Sequence, residues 1–270
     1  MLKDKIVVIT GGAGLIGKEF VKSIIEEGGI AVIADIDKKR GIEATKAAEK
    51  YSKSKNVFFV NLDITSKNSI KECIALVHKK YGKIDGLVNN AARNPSISKD
   101  QKINFNRLES FDRKAWDLDL SVGVTGSFLC IKYYGYQISL NENGGSIVNI
   151  SSDLGIIAPD QRIYEQEGLD KDKQPVKPIS YSVVKSALLG LSRYVATYWA
   201  SENVRSNCLL PGGVQTDQDD VFINKLTNLI PLKRMAKNNE YQAAIIFLLS
   251  DASSYMTGTN LIMDGGRSTW

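Results

Sequence analysis

The stretch Ile6-Val7-Val8-Ile9-Thr10-Gly11-Gly12-Ala13-Gly14-Leu15-Ile16-Gly17 decides the reading of the fold. A β-branched run enters a cluster of glycines, and an apolar-periodic segment follows over 15–27. The run 6–10 reads as a buried strand. The segment 15–27 reads as a helix with Ile16, Phe20, Ile24 and Ile25 on one face, stopped by Gly28-Gly29. Glycines at such a junction allow a tight turn and a close approach of the backbone to a pyrophosphate. The helix start adds free N–H donors and a partial positive charge. Gly11, Gly14, Leu15, Ile16 and Gly17 are therefore candidate phosphate-binding positions, although glycines there also serve plain strand–helix packing.

Working outward, apolar runs recur at 30–35, 57–62, 84–89, 146–151 and 204–210, with a last short one at 260–263. Helical patterns lie at 66–80, where Ile70, Ile74 and Val77 share a face, and at 112–140, 179–201 and 241–249. Near-continuous apolar strands suit a parallel sheet covered on both faces. The alternation predicts an α/β fold: a doubly wound parallel sheet of Rossmann type, about seven strands with helices on both faces. One domain over 1–270 is expected. Three segments break the pattern and read as loops, 93–107, 153–178 and 211–237. In the last, Phe222, Leu226, Leu229 and Ile230 recur at roughly helical spacing, which fits either core packing or a mobile lid.

Composition excludes several classes. A hydrophobic fraction of 43% with 24% charged residues excludes a disordered or collagen-like chain. The net charge of +5 is modest, and Lys38-Lys39-Arg40 and His78-Lys79-Lys80 read as solvated helix faces. No basic stripe is interleaved with aromatics, so no nucleic-acid partner is expected. The mild positive balance favours an anionic cofactor or substrate. Cys73, Cys130 and Cys208 stand apart in apolar contexts beside a single His, which argues against zinc or disulfides and for a reducing compartment. With no run of 18 apolar residues and only a short apolar N-terminal run, a cytoplasmic protein without membrane contact is expected.

Asp35 ends the second strand, 18 residues after Gly17. An acid there can accept hydrogen bonds from both hydroxyls of an adenosine ribose and repels a 2′-phosphate, which favours NAD(H) over NADP(H). Asp35 could instead only cap the next helix. Asp37 could take its role, and Lys38, Lys39 and Arg40 stand close enough to soften the discrimination. Tyr181 and Lys185, in YSVVK, are four apart on one predicted helix face. An ammonium beside a phenol favours the phenolate, and such a tyrosine can exchange a proton with an alcohol or carbonyl oxygen. Tyr-x-x-x-Lys pairs are also common on surfaces. Here the preceding strand ends in Asn149-Ile150-Ser151-Ser152, where a serine hydroxyl could hold the same oxygen.

Together these segments resemble the short-chain dehydrogenase/reductase family, compact type, over nearly the whole length. The resemblance rests on TGGAGLIG, Asp35, Leu62-Asp63, Asn89-Asn90-Ala91-Ala92, Asn149 to Ser152, YSVVK, Pro211-Gly212-Gly213 and Met263-Asp264-Gly265-Gly266. It implies Tyr181 as catalytic acid/base and Lys185 as the group that lowers its pKa and holds the nicotinamide ribose. Ser152 would polarise the substrate oxygen, with Ser151 the less apt choice. Asp63 would contact the adenine, with Ile64 beside it, and Asn90 the adenosine side. Pro211, Gly213 and Val214 would lie against the nicotinamide, with Thr216 nearby. It further implies a small-molecule substrate and a homodimer or homotetramer formed through 112–140 and 179–201. With Ala196 to Ala200 and Ser250 to Tyr255, the chain is similar to reductases of bacterial flagellin-modification and surface-polysaccharide clusters. The function implied is hydride transfer between NAD(H) and a secondary alcohol or ketone, on a sugar or nucleotide sugar of surface glycan biosynthesis.

Three departures stand out. The turn has the TGxxGxxG spacing of the extended branch, with Leu15 where the compact branch has glycine. Gly123 stands where the family has an asparagine that supports a water relay, partly through its backbone carbonyl. Ser152 and Tyr181 are 29 residues apart. The compact family has about 13 there, so roughly 16 residues are inserted at the rim of the site. Two other functions compete: a catalytically weak cofactor-binding protein, from Gly123, and a sugar-nucleotide epimerase or dehydratase, from the turn. The second needs an additional C-terminal region, and the sequence ends at Trp270, shortly after Asp264-Gly265-Gly266.

Overall fold

The computed structural model describes residues 1–93 and 106–270. Its centre is a seven-stranded sheet of β1 (Ile6–Thr10), β2 (Ile30–Asp35), β3 (Val57–Asn61), β4 (Gly86–Asn89), β5 (Gly145–Ile150), β6 (Val204–Pro211) and β7 (Asn260–Met263). The order across the sheet is β3-β2-β1-β4-β5-β6-β7, and every pairing is parallel. The strand positions agree with the sequence reading to within two residues at each end.

The strands are apolar on both sides because both faces are covered. On β1, Val7 and Ile9 point to one cluster with Phe20, Val21, Ile24 and Ile25 of α1 (Leu15–Glu26). Ala44 and Ala48 of α2 (Lys38–Ser52) join that cluster, with Ile245 and Leu248. Ile6 and Val8 point the other way, to Ile70, Cys73 and Val77 of α3 (Lys67–Tyr81). Alternate side chains thus feed two cores, as the pleat of a strand demands.

A long helix, α4 (113–139), runs along the second face and loosens into π-turns at Ser121–Gly126 and Ile131–Gly135. It is followed by α5 (Ile179–Tyr198), α6 (Asp220–Asn228) and α7 (Gln242–Leu249). A helix after Asp35 was expected from its solvated face but given no bounds, and one other helix was not assigned from sequence. The α2 helix buries only Gly41, Ala44 and Ala48, so its apolar periodicity is faint. The α6 helix lies within 211–237, expected as a loop, and begins where Asp219 accepts from the Phe222 N–H. The predicted loop at 93–107 lies, over 94–105, outside the described residues.

Strand order reverses between β1 and β4, and the crevice above the carboxyl ends of a parallel sheet opens at such a point. No described helix is long and apolar enough to cross a membrane. Among the described residues no acidic, His or Cys cluster could hold a metal ion.

Candidate active site

A cavity of about 870 Å³ occupies this crevice. Gly11, Gly14, Leu15 and Ile16 line one end with Asp35, Asp63, Ile64 and Asn90. Ser152, Tyr181, Lys185, Pro211, Gly213, Val214 and Thr216 line the other parts of the same wall. Of the expected catalytic and cofactor-binding residues, Gly17 alone does not face the cavity. It is buried, and a Cβ there would strike the Gly11 carbonyl and lie 2.9 Å from Gly12 Cα, so its role is packing.

The glycine turn is held from the sheet. Gly11 has φ +61°, and its N–H donates to Ala34 O at 2.8 Å. Asn90 Nδ2 donates to the Thr10 and Gly11 carbonyls at 3.1 and 2.9 Å. Thr10 Oγ1 accepts from the Asn90 and Ala91 N–H groups, both at 3.1 Å. Gly14 caps α1 with no side-chain hydrogen bond, and no acid stands in the first turn. The leading N–H groups of that helix are thus available to an anion.

Asp35 does not cap α2; Asp37 does, by accepting from the Arg40 N–H at 3.0 Å. Asp35 instead accepts from the Ala13 and Asp37 N–H groups at 3.1 and 3.0 Å, which fixes its carboxylate at the cavity edge. Arg40 shares that edge and donates to Ala13 O at 3.2 Å. Asp63 accepts from Thr65 N–H and Oγ1 at 2.9 and 2.7 Å.

Tyr181 and Lys185 sit one helical turn apart at the start of α5, the ammonium 5.7 Å from the phenol ring centroid. Lys185 is buried and donates to Ile150 O at 2.9 Å, which ties the helix to the end of β5. Burial pushes its pKa down to about 8. The expected depression of Tyr181 by this lysine is not the net result of the protein groups. Burial raises the phenol above its ordinary value, a hydrogen bond with Ser152 opposes the rise, and Asp153 adds to it. Both members of the pair are therefore driven toward their neutral forms. Ser152 Oγ donates to Asp153 Oδ1 at 2.7 Å. Ser151 is committed elsewhere: its Oγ donates to Lys185 O at 2.7 Å.

The segment 153–178 is not a loose surface elaboration. It carries short turns at Asp153–Gly155, Gln161–Tyr164 and Lys171–Lys173. The Gln174 amide donates to Gln166 O and Leu169 O at 3.0 and 2.7 Å, folding the segment on itself. Ile163 packs with Leu226, Ile230 and Met235, and the Tyr164 and Phe222 rings lie 5.6 Å apart. Lys225 donates to Glu165 O at 2.7 Å. The segment and α6 thus form one roof, and Ile163, Tyr164, Lys177, Phe222 and Leu226 line the cavity beneath it.

Sequence reasoning missed several residues. Asp153 and Arg267 form an ion pair at 2.9 Å with side chains only 3% and 8% exposed, which joins the end of the chain to the Ser152 hydroxyl. Lys177 Nζ lies 3.8 Å from the Tyr181 ring centroid. Asp119 accepts from Ser180 Oγ at 2.6 Å and from Arg93 at 3.1 Å, beside the start of α5. Asp153 follows Ser152 directly, which is a local signal; nothing local marks Arg267 or Asp119.

Gly123 lies in the first π-turn of α4. A Cβ at this position would collide with the Val184 side chain, so Val184 occupies the space of any side chain there. The small cavity left between Gly123, Val184, Tyr181 and Lys185 is about 10 Å³, room for one water at most. The Gly123 carbonyl accepts from Ser127 Oγ at 2.9 Å, so the oxygen expected to serve a relay is already engaged once.

Residues 5–164 match the short chain dehydrogenase family, and residues 172–268 match the family described as Enoyl-(Acyl carrier protein) reductase. The chain belongs to the short-chain dehydrogenases/reductases. This dehydrogenase/reductase is 31% identical to "Post-translational flagellin modification protein A" of Campylobacter coli, over 98% of this chain and 99% of that one. It is 29% identical to "NAD-dependent glycerol dehydrogenase" of Listeria innocua, over 98% and 94%. Among solved structures, a short chain dehydrogenase from Leptospira borgpetersenii with bound NAD+ superposes with a TM-score of 0.80 at 27% identity, over 99% and 94%. The chain is an NAD(P)-dependent oxidoreductase acting on CH–OH groups.

Proposed function

We propose that this dehydrogenase/reductase moves a hydride between NAD(H) and a secondary alcohol or ketone of a small polar molecule. The observation that carries the reading is the convergence of Ser152, Tyr181 and Lys185 on the cavity that also holds the glycine turn and Asp35. The glycine turn and α1 would bind the pyrophosphate, Asp35 the adenosine ribose hydroxyls, Asp63 and Ile64 the adenine, and Asn90 the adenosine side. Pro211, Gly213, Val214 and Thr216 would flank the nicotinamide, which supplies or accepts the hydride.

Tyr181 Oη gives a proton to the carbonyl oxygen in reduction and takes it back in oxidation. To hold that oxygen, Ser152 Oγ would turn its single proton from Asp153 Oδ1, its acceptor in the free protein, to the substrate. Lys185, cationic below about pH 8, favours ionisation of Tyr181 and binds the nicotinamide ribose. Preference for NAD(H) rests on the Asp35 carboxylate at the cavity edge, which a 2′-phosphate would meet unfavourably. Arg40 on the same edge reduces that preference without reversing it, because it is turned toward Ala13 O.

A sugar or nucleotide sugar of surface glycan biosynthesis is the proposed substrate, supported by the flagellin-modification relative and the mixed charge of the roof. The segment 153–178 and the lid within 211–237 would enclose it as parts of one domain. A homodimer or homotetramer through α4 and α5 is supported by exposed Leu118, Phe128, Tyr136, Tyr194 and Tyr198 on those helices. A cytoplasmic, reducing setting agrees with three free buried cysteines. The test is NADH formation or consumption across polyols, nucleotide sugars, hydrophobic alcohols and acyl thioesters. Turnover of polyols or nucleotide sugars is expected. Turnover confined to hydrophobic alcohols or thioesters overturns the substrate class, and epimerised product without net redox change overturns the reaction.

A further inference from the structure

Lys177 is delivered into the cavity by the end of the 153–178 segment, where Gln161 Oε1 accepts from its N–H at 2.9 Å. Its side chain is half-buried, and its ammonium rests on the face of the Tyr181 ring, 3.8 Å from the centroid. A π face is a partial partner for a cation. No carboxylate or carbonyl among the described residues accepts from it. Asp153 is the acid nearest in kind, and its oxygens are taken: Oδ1 by Ser152 and Leu154, Oδ2 by Arg267. The charged and titratable groups that share this part of the wall are Arg93, Asp153, Tyr164, Tyr181, Lys185 and Arg267. Arg93 is already paired with Asp119. Asp153 is the one carboxylate in that set, so its cations outnumber its anions.

A cation drawn out of water without an acid partner is costly, and its pKa falls. Burial pushes Lys177 to about 8, and Asp153 opposes that fall only in part. The roof therefore holds a positive charge that the described residues leave largely uncompensated, beside the hydroxyl proposed to exchange the proton. We infer that Lys177 is a specificity-determining residue that pairs with an anionic group, a carboxylate or phosphoester, carried by the substrate a few bonds from its reacting carbon. This rests on the dehydrogenase reading of the cavity and narrows it to anionic alcohols and ketones. Such a group would give the ammonium its missing partner and fix which face of the substrate meets Tyr181. The neutral alcohol lacking that group would leave Lys177 as it is in the free protein.

The test uses the full chain with lysine labelled at Cε by an NMR-active carbon, which reports ionisation of each ammonium. The Lys177 signal is assigned by its loss in Lys177→Arg and independently in Lys177→Gln. Its titration midpoint is then measured with acetate, with inorganic phosphate and with acetamide, the neutral counterpart of acetate, at ionic strength matched with chloride. An anion that binds the charged form moves the midpoint upward from about 8. At a concentration twice its dissociation constant, the acid ionisation constant falls about three-fold. A shift with acetate alone assigns a carboxylate, and one with phosphate alone assigns a phosphoester. Equal midpoints in all three solutions overturn the inference. The readout needs no turnover, so a failure to find any alcohol oxidised would sink the dehydrogenase reading and leave the anion site standing.

Discussion

The two ends of the cavity are made of different materials. The cofactor end is backbone: the Gly11–Ile16 turn, its carbonyls and N–H groups pinned by Asn90, Thr10 and Ala34 on neighbouring strands. The substrate end is side chains, with Tyr164 and Lys177 from one long segment, Phe222 and Leu226 from α6, and Arg267 from the last residues. The first is built from one short run of chain, although Asn90, 79 residues from Gly11, and Ala34 hold it in place. The second is assembled from parts 114 residues apart, as the Asp153–Arg267 pair illustrates. Changes at the cofactor end should therefore act on geometry and cofactor affinity, and changes at the substrate end on turnover and on the roof itself.

The largest expected effect lies where the two ends meet. Tyr181→Phe removes the proton carrier and should lower kcat by about 10²–10⁴. NADH affinity by fluorescence titration should stay within about two-fold, because the phenyl ring keeps the packing. Unchanged turnover would refute the assigned role. Next is Arg267→Met, which strands Asp153 in a buried site. Urea unfolding should show a loss of about 3–5 kcal/mol, the usual cost of breaking a buried pair on one side. A loss below 1 kcal/mol would mean that the end of the chain does not hold the roof.

At the cofactor end, Gly17→Val forces a side chain against the Gly11 carbonyl. A cost of about 1–3 kcal/mol is expected, seen as lost stability, weaker NADH binding, or both. Gly123→Asn should cost a similar about 1–3 kcal/mol by overpacking against Val184. Combining it with Val184→Ala should recover most of that loss. Additive losses in the double variant would show that the two positions are not coupled. The smallest effect is at Asp35. Asp35→Asn keeps an acceptor for the turn but removes the charge, and should move the NADH-to-NADPH affinity ratio about ten-fold toward NADPH. An unchanged ratio would assign discrimination to Arg40 or Asp37.

The same contrast explains what could be read from the sequence. Strands β1, β2 and β4 are apolar along nearly their whole length, β3, β5 and β6 carry apolar runs broken or ended by a few polar residues, and the Gly11–Gly17 turn follows directly from local chemistry, so sheet and turn were legible. The extent of helix α2 was not, because Gly41, Ala44 and Ala48 bury too little apolar surface to show a period. Gly17 was placed among the cofactor contacts because its spacing fits that role equally well; only the Gly11 carbonyl above it assigns it to packing. Tyr181 and Lys185 were visible four residues apart, but the net rise of the Tyr181 pKa depends on burial, which the sequence does not carry. Lys177, Asp153 and Arg267 meet only after the roof folds, and their joint signal exists only in three dimensions.

The most direct test of the central claim follows the hydride. NADH deuterated at the transferring position of nicotinamide C4 is incubated with the ketone form of a turned-over substrate, and the product alcohol is examined by mass spectrometry and NMR. The expected result is one deuterium on the new carbinol carbon with the wild-type chain, and product formed about 10²–10⁴-fold more slowly with Tyr181→Phe. Product alcohol without deuterium, or product formed equally well by Tyr181→Phe, would contradict direct hydride transfer at this site.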